Sequence, residues 1–175
     1  MKFKNIAISG DIGTGKSTLA RSLAGKLGWE YVHTGTFFRK WHEEHGVPLE
    51  ESEKIPPELD RQIDMDYQKK METDDHTIFE SQLAGWLAKD FADVLKVLCV
   101  TDEEVRMQRA ANRDGSSVEE AKNHADIRSK SLDEKFKNLY GVENRFDPNY
   151  FDLVVDTTSN SPEEVLAMVM EKLSG

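Results

Sequence analysis

Gly10-Asp11-Ile12-Gly13-Thr14-Gly15-Lys16-Ser17-Thr18 is the stretch on which the reading of this chain turns. It fits the pattern G-x-x-x-x-G-K-[ST], with Gly10, Gly15, Lys16 and Ser17 at the four defining positions. The flanks give the pattern its physical meaning. Phe3 to Ser9 before it is a short apolar run of the buried-strand kind. After it, Leu19, Ala20, Leu23, Ala24 and Leu27 recur at helical spacing, and Gly28 follows as a stop signal. Glycines between a strand and a helix let successive backbone N–H groups turn inward, and the helix start adds its positive end. Such a cradle binds the phosphates of a nucleoside triphosphate. Lys16 is expected to reach the β- and γ-phosphates, and the Ser17 hydroxyl to take a Mg2+ ligand position.

The 175 residues suit one domain with a single sizeable core. With 38% apolar and 32% charged residues, the composition is that of a soluble globular protein. No run approaches the ~20 apolar residues that a membrane span requires. The first strand begins almost at once, so no signal peptide is expected, and the cytoplasm is the expected compartment. Cys99, the one cysteine, lies in an apolar run and reads as a buried core thiol. The 33 acidic against 23 basic residues give a net charge of −10, which disfavours binding to long polynucleotides. A single small nucleotide remains compatible with a local basic pocket.

Strand and helix signals alternate along the rest of the chain. Trp29 to His33 reads as a second strand, Thr34-Gly35 as a turn, and Phe37 to His42 as part of a helix carrying Arg39. Arg39 is placed either to face a phosphate or to lie solvated on the surface. Pro57 suits a helix start, with Ile63, Tyr67, Lys70 and Met71 near one face of the helix that follows. His76 to Glu80 reads as a strand ending in a carboxylate. Glu80 either holds a Mg2+-bound water or caps the helix beginning near Leu83. Asp93 to Val100 is the next strand, and on the helix around Asp102 to Arg113 the residues Arg106, Arg109 and Arg113 share a face. Ser116 to Lys137, rich in charge, reads as a mobile helical hairpin. Tyr150 to Asp156 reads as the last strand, and Ser161 with Pro162 and Glu164 opens a closing helix. Alternation of this kind predicts a three-layer α/β/α sandwich around a five-stranded parallel sheet, with ligands at the carboxyl ends of its strands.

The phosphate loop, Tyr31 to Arg39, Ile78 to Leu87 and Asp152 to Thr157, taken in order and with their gaps, resemble the cytidylate kinases. The likeness is to the short, archaeal-type members of that nucleoside-monophosphate kinase family. It implies the P-loop NTPase fold with a helical lid, and transfer of the ATP γ-phosphoryl group to CMP or dCMP with Mg2+. It also implies small nucleotides as partners, and a monomer or weak dimer. By the resemblance, Gly10, Gly13, Thr14, Gly15, Lys16, Ser17 and Thr18 bind ATP, and Ser17 with Glu80 serves the metal. Thr34, Arg39 and the position of Gln82 belong to the acceptor, within a segment of about residues 34–75. Lys16, Arg109, Arg113 and Arg128 form the catalytic set. Arg109 and Arg113 begin the lid, one facing the adenine and the other the phosphates. Arg128, with Lys135, takes a basic position within a lid of about residues 114–140. The sequence departs from the family at Gln82, where an arginine is usual, at Thr36 in Thr34-Gly35-Thr36, and at Asp133-Glu134 in the lid. Those departures leave two other readings open: a kinase for another small acceptor, or a nucleotide-binding regulator with little transfer.

Overall fold

A computed structural model describes residues 2–175. Its five strands are β1 (Asn5–Gly10), β2 (Glu30–His33), β3 (Thr77–Glu80), β4 (Val94–Val100) and β5 (Leu153–Asp156). All pair in parallel, in the order β2-β3-β1-β4-β5. The period of two along each strand sorts side chains between the two faces. Ile6 and Ile8 of β1 and Ile78 of β3 pack against Leu19, Ala20 and Leu23 of α1 (Lys16–Leu27) and Val165, Val169 and Leu173 of α7 (Pro162–Ser174). Ala7 and Phe79 point the other way. There they meet Tyr67 and Met71 of α3 (Pro57–Thr73), Leu87 of α4 (Ala84–Leu87), and Leu132 and Phe136 of α6 (Val118–Tyr140). This is the expected three-layer sandwich. Because β1 lies between β3 and β4, the loop leaving its carboxyl end opens where the strand order reverses, the position at which open α/β sheets bind ligands.

The remaining helices are α2 (Gly35–His45) and α5 (Glu103–Asp114). A third small core lies at the α5–α6 pair, where Met107, Ala110, Ala111, Ala121 and Ala125 enclose Ile12 from the phosphate loop. The mobile hairpin expected within Ser116 to Lys137 is instead one continuous helix, α6, and the hairpin is formed by α5 and α6 around Gly115. Ser117 and Glu120 close a capping box at its start. The sequence hides this because the buried stripe is narrow and mostly small: Ala121, Ala125, Leu132 and Phe136 stand among many charges. The last strand is also shorter than expected, since Pro148–Tyr150 forms a 3-10 turn before β5. On α3 the buried face is Asp60, Asp64, Tyr67 and Met71, whereas Ile63 and Lys70 are only partly covered. Carboxylates therefore occupy the stripe that Ile63 and Lys70 were expected to share.

Candidate active site

The loop from Gly10 to Gly15 is held by backbone geometry and by α5. Gly13 has φ 81, and a Cβ there would stand 2.5 Å from the carbonyl oxygen of Arg106, so only glycine lets the loop lie on that helix. Arg106 completes the clamp, donating to the Ile12 carbonyl at 2.9 Å and pairing with Asp11 at 3.0 Å. Thr14 is buried and turns its hydroxyl onto the Asp11 carbonyl at 2.8 Å, shaping the loop with its side chain. Gly15, with φ 79, starts α1 with no side-chain cap, which leaves the first N–H groups of the helix for an anion.

Lys16 and Ser17 then project into an open cleft at the strand ends. Ser17 Oγ donates to Glu80 Oε1 at 2.9 Å, and Lys16 Nζ stands 4.0 Å from the same carboxylate oxygen. The Tyr31 hydroxyl donates to the other oxygen, Oε2, in a short contact that fixes the carboxylate. Burial holds the Lys16 ammonium below its ordinary value, against the upward pull of Glu80. Burial and the hydrogen bond to Glu80 both push the Tyr31 phenol up, so it remains a donor. The neighbouring Cys99 thiol is pushed by burial to about 12 and is inert. A hydroxyl and a carboxylate side by side next to a phosphate cradle suit Mg2+, which takes one or two protein oxygens and completes its shell with phosphate oxygens and water.

Thr34, Arg39, Gln82, Arg113 and Arg128 line the same cleft. Arg128 is held below its ordinary value first by burial and then by Arg39 and Arg113, which crowd positive charge around it. Glu50 and Asp11 offset that crowding in part, and an anion bound in the cleft would offset it further. Arg109 stands elsewhere. It donates to the Thr157 hydroxyl and carbonyl at 3.0 and 2.8 Å, in a second hollow lined by Gly15, Thr18, Asn160 and Pro162 on the outer side of α1. The shared helical face of Arg106, Arg109 and Arg113 thus splits three ways, since Arg113 forks onto its own neighbour Asp114 at 2.7 and 2.6 Å.

The far end of the cleft brings Lys135, a lid position that is basic in the family, against two carboxylates that sequence reasoning did not single out, Asp60 and Asp64. Lys135 donates to Asp60 Oδ1 at 2.9 Å, while Asp60 Oδ2 is buried without a partner. Beside them Asp64 accepts from the Tyr140 hydroxyl at 2.7 Å. Burial pushes the Asp64 carboxyl up to about 6, the Tyr140 hydrogen bond pulling the other way. Phe38 offers a ring wall, with Lys135 Nζ 5.1 Å from its centre. The signal available in the sequence was the four-residue spacing of Asp60 and Asp64 on the stripe that continues to Tyr67 and Met71.

Besides Lys135–Asp60 and Tyr140–Asp64, an exposed polar tie joins the first half of α6 to the acceptor side. His124 bonds Glu50 at 2.5 Å. The Glu50 hydrogen bond raises the imidazole above its ordinary 6.5, and the same bond, against burial, lowers Glu50 below 4.5. A raised histidine contributes fully below pH 6.5 and loses its contribution as pH rises through the folded value. The lowered carboxylate contributes above pH 4.5 and is lost as pH falls through its own folded value. The tie is therefore strongest between those limits. Amide exchange in residues 118–128, corrected for intrinsic rates, is expected to quicken from pH 6 to pH 8.5 in the free protein. The His124→Ala variant should remove that difference; its persistence would show that the tie does not hold α6.

Residues 5–159 match the Cytidylate kinase-like family. The chain belongs to that family. It is 38% identical over 167 residues to a cytidylate kinase of Pyrococcus abyssi, covering 94% of this chain and 90% of the relative. It is 37% identical over 167 residues to a cytidylate kinase of Pyrococcus furiosus, with 94% and 85% covered. A gluconokinase from Sinorhizobium meliloti 1021 superposes with a TM-score of 0.64 at 13% identity, over 99% of this chain and 96% of that one, and so shares the fold. As a member, the chain is an ATP-dependent phosphotransferase of the nucleotide-kinase kind, and the P-loop fold expected from the loop is the one observed. Among the described residues, no helix is long and apolar enough to cross a membrane.

Proposed function

We propose that the protein phosphorylates CMP or dCMP at the expense of ATP. The observation that carries this reading is the polarity of the main cleft. Lys16, Arg39, Arg113 and Arg128 gather at one end, and a buried carboxylate, Asp64, stands with Lys135 at the other. A nucleotide has the matching polarity: anionic at its phosphate, and in cytosine a ring edge with an amino donor beside two acceptors. A carboxylate can take the N4 amino hydrogen and an ammonium can donate to N3 or O2. Uracil places a carbonyl where cytosine has its amino group, so it would set oxygen against oxygen.

On this reading ATP lays its phosphates in the loop, with its base in the hollow beside Arg109 and Thr157. The acceptor occupies the segment of residues 34–75, its phosphate facing Thr34, Arg39, Arg128 and Gln82. An acceptor phosphate oxygen attacks the γ-phosphorus in line, the bond to the β–γ bridging oxygen breaks, and ADP departs with that electron pair. Lys16 spans the β- and γ-oxygens, while Arg113 and Arg128 meet the charge spread over the transferred group. Mg2+, held by Ser17 and Glu80 together with phosphate oxygens, would neutralise charge between donor and leaving group. Closing of the α5–α6 unit over both nucleotides excludes water, which would otherwise compete as acceptor.

An acceptor panel checks the base assignment. With Mg2+ and saturating ATP, kcat/KM for CMP and dCMP is expected to exceed that for UMP by about tenfold or more, the worth of one charged hydrogen bond. Equal values for UMP and CMP would show that the carboxylate end does not read the base. Preference for an unphosphorylated alcohol would move the chain to a different acceptor class.

A further inference from the structure

Behind the floor of the cleft lies Arg145, in the loop between α6 and β5, with its side chain only 2% exposed. It belongs to none of the sequence motifs. Its guanidinium is used on three separate parts of the molecule. Nε donates to Gln82 Oε1 at 3.1 Å. On α6, Nη2 donates to the Ser129 hydroxyl at 2.8 Å, and Nη1 makes a short contact with Asp133. Nη2 also lies 3.9 Å from Asp11 Oδ1 in the phosphate loop. Burying a guanidinium is costly unless its N–H groups find acceptors; here they find them on the strand-end turn at Gln82 and on α6, with the Asp11 carboxylate of the loop within ion-pair range.

The contact with Gln82 has a directional consequence. An arginine Nε–H can only donate, so the amide oxygen of Gln82 faces Arg145 and its NH2 group faces away. Gln82 lines the cleft, and its amide nitrogen meets no protein acceptor among the described residues. A donor pair is thus presented to the cleft, polarised by the guanidinium behind it. The absent charge at position 82 is not absent from the neighbourhood: Arg145 stands directly behind it. We propose that Arg145 is a positioning residue for the acceptor phosphate, fixing the Gln82 amide as a donor and tying that donor to the phosphate loop and α6. The proposal rests on the cleft being the acceptor site.

Four variants test it: Arg145→Gln, Arg145→Lys, Gln82→Arg, and the double variant Gln82→Arg with Arg145→Gln. For each, kcat, the KM values for CMP and for ATP, and the melting temperature are measured. Arg145→Gln is expected to raise KM for CMP about tenfold, the equivalent of ~1.4 kcal/mol, while KM for ATP stays within about twofold. Arg145→Lys, which keeps the charge without the fork, should fall between parent and Arg145→Gln. Gln82→Arg alone should raise KM for CMP, because two guanidiniums then compete for one place. In the double variant the same substitution should recover the parent KM to within about threefold, since one cation again serves the site. Such a reversal of sign is not produced by a residue that merely supports the fold.

If Arg145→Gln lowers the melting temperature but leaves KM for CMP unchanged, or raises both KM values equally, the positioning role is overturned. A Gln82→Arg effect of the same sign in both backgrounds overturns it too. Should Arg145→Gln not fold, Gln82→Arg in the parent decides, because a lower KM for CMP would show no cation already acting there. Absence of CMP turnover in the parent removes the acceptor reading, and this role with it. Turnover in the parent with no change among the variants removes this role alone.

Discussion

Lys16→Met is expected to cut phosphoryl transfer by about a thousandfold or more and to leave the fold in place, since a removed cation at a transferring phosphate costs that much in related chemistry. The size of the effect follows from where the ammonium sits. It emerges from the first turn of α1 into the cleft, with the uncapped N–H groups of that turn around it. Its protein contacts are loose: 3.4 Å to the Asp11 carbonyl and 4.0 Å to Glu80. Little of its free energy is therefore committed to the fold, and burial already works against its charge. A change of about 1 kcal/mol or less, worth about 2–4 °C in melting temperature for a chain of this size, is expected without nucleotide. Calorimetry and a coupled assay on the same preparation separate the two quantities. Parent-like turnover in Lys16→Met would mean the loop does not hold the reacting phosphates.

Asp64→Asn is expected to move stability and activity in opposite directions. The Asp64 carboxyl titrates near 6 in the folded protein, against an ordinary value of 3.8. With the folded value above the unfolded one, the native state binds the proton more tightly, so stability declines as pH rises from about 4 through 6. A shift of about two units corresponds to roughly 3 kcal/mol once the group is ionised, an order of magnitude only. An asparagine retains an oxygen for the Tyr140 hydroxyl and escapes that cost. At pH 8 the variant should therefore gain about 1–3 kcal/mol, and at pH 4 nothing. Over the same change kcat/KM for CMP should drop about tenfold to a hundredfold, as a charged hydrogen bond to the base is lost. Denaturant midpoints at the two pH values, together with CMP kinetics at pH 8, make the check. No stability gain at pH 8 would contradict the burial of an ionised carboxylate; a gain with undiminished CMP turnover would leave Asp64 without a part in binding.

These side chains differ in how far the sequence alone revealed them. The loop from Gly10 to Thr18 was legible because its chemistry is local: the backbone donors, the lysine and the hydroxyl lie within nine consecutive residues. The parallel sheet was legible for the same kind of reason, as each apolar run is short and each helix between runs carries its own start or stop. Glu80 admitted two readings in the sequence, and the structure sets it against Ser17 across 63 positions of chain. Arg145 was not legible at all. It meets Gln82 across 63 positions and Asp11 from near the other end of the chain, and nothing near it in the sequence announces either contact. Helix α6 was misread because charge outnumbers its small buried stripe, and alanine in a stripe carries far less signal than leucine. Asp60 and Asp64 were passed over because a carboxylate on a helix is ordinarily a solvated residue; only packing against α6 shows that these two are enclosed.

The most direct measurement follows the γ-phosphate itself. The protein is incubated with γ-labelled ATP, Mg2+ and CMP, and the nucleotides are separated. The label should pass from ATP into CDP, one CDP for each ADP formed, and removal of Mg2+ by a chelator should stop the transfer. Label recovered in free phosphate, or retained in ATP while the nucleotide is demonstrably bound, would show that the cleft does not transfer phosphate to CMP.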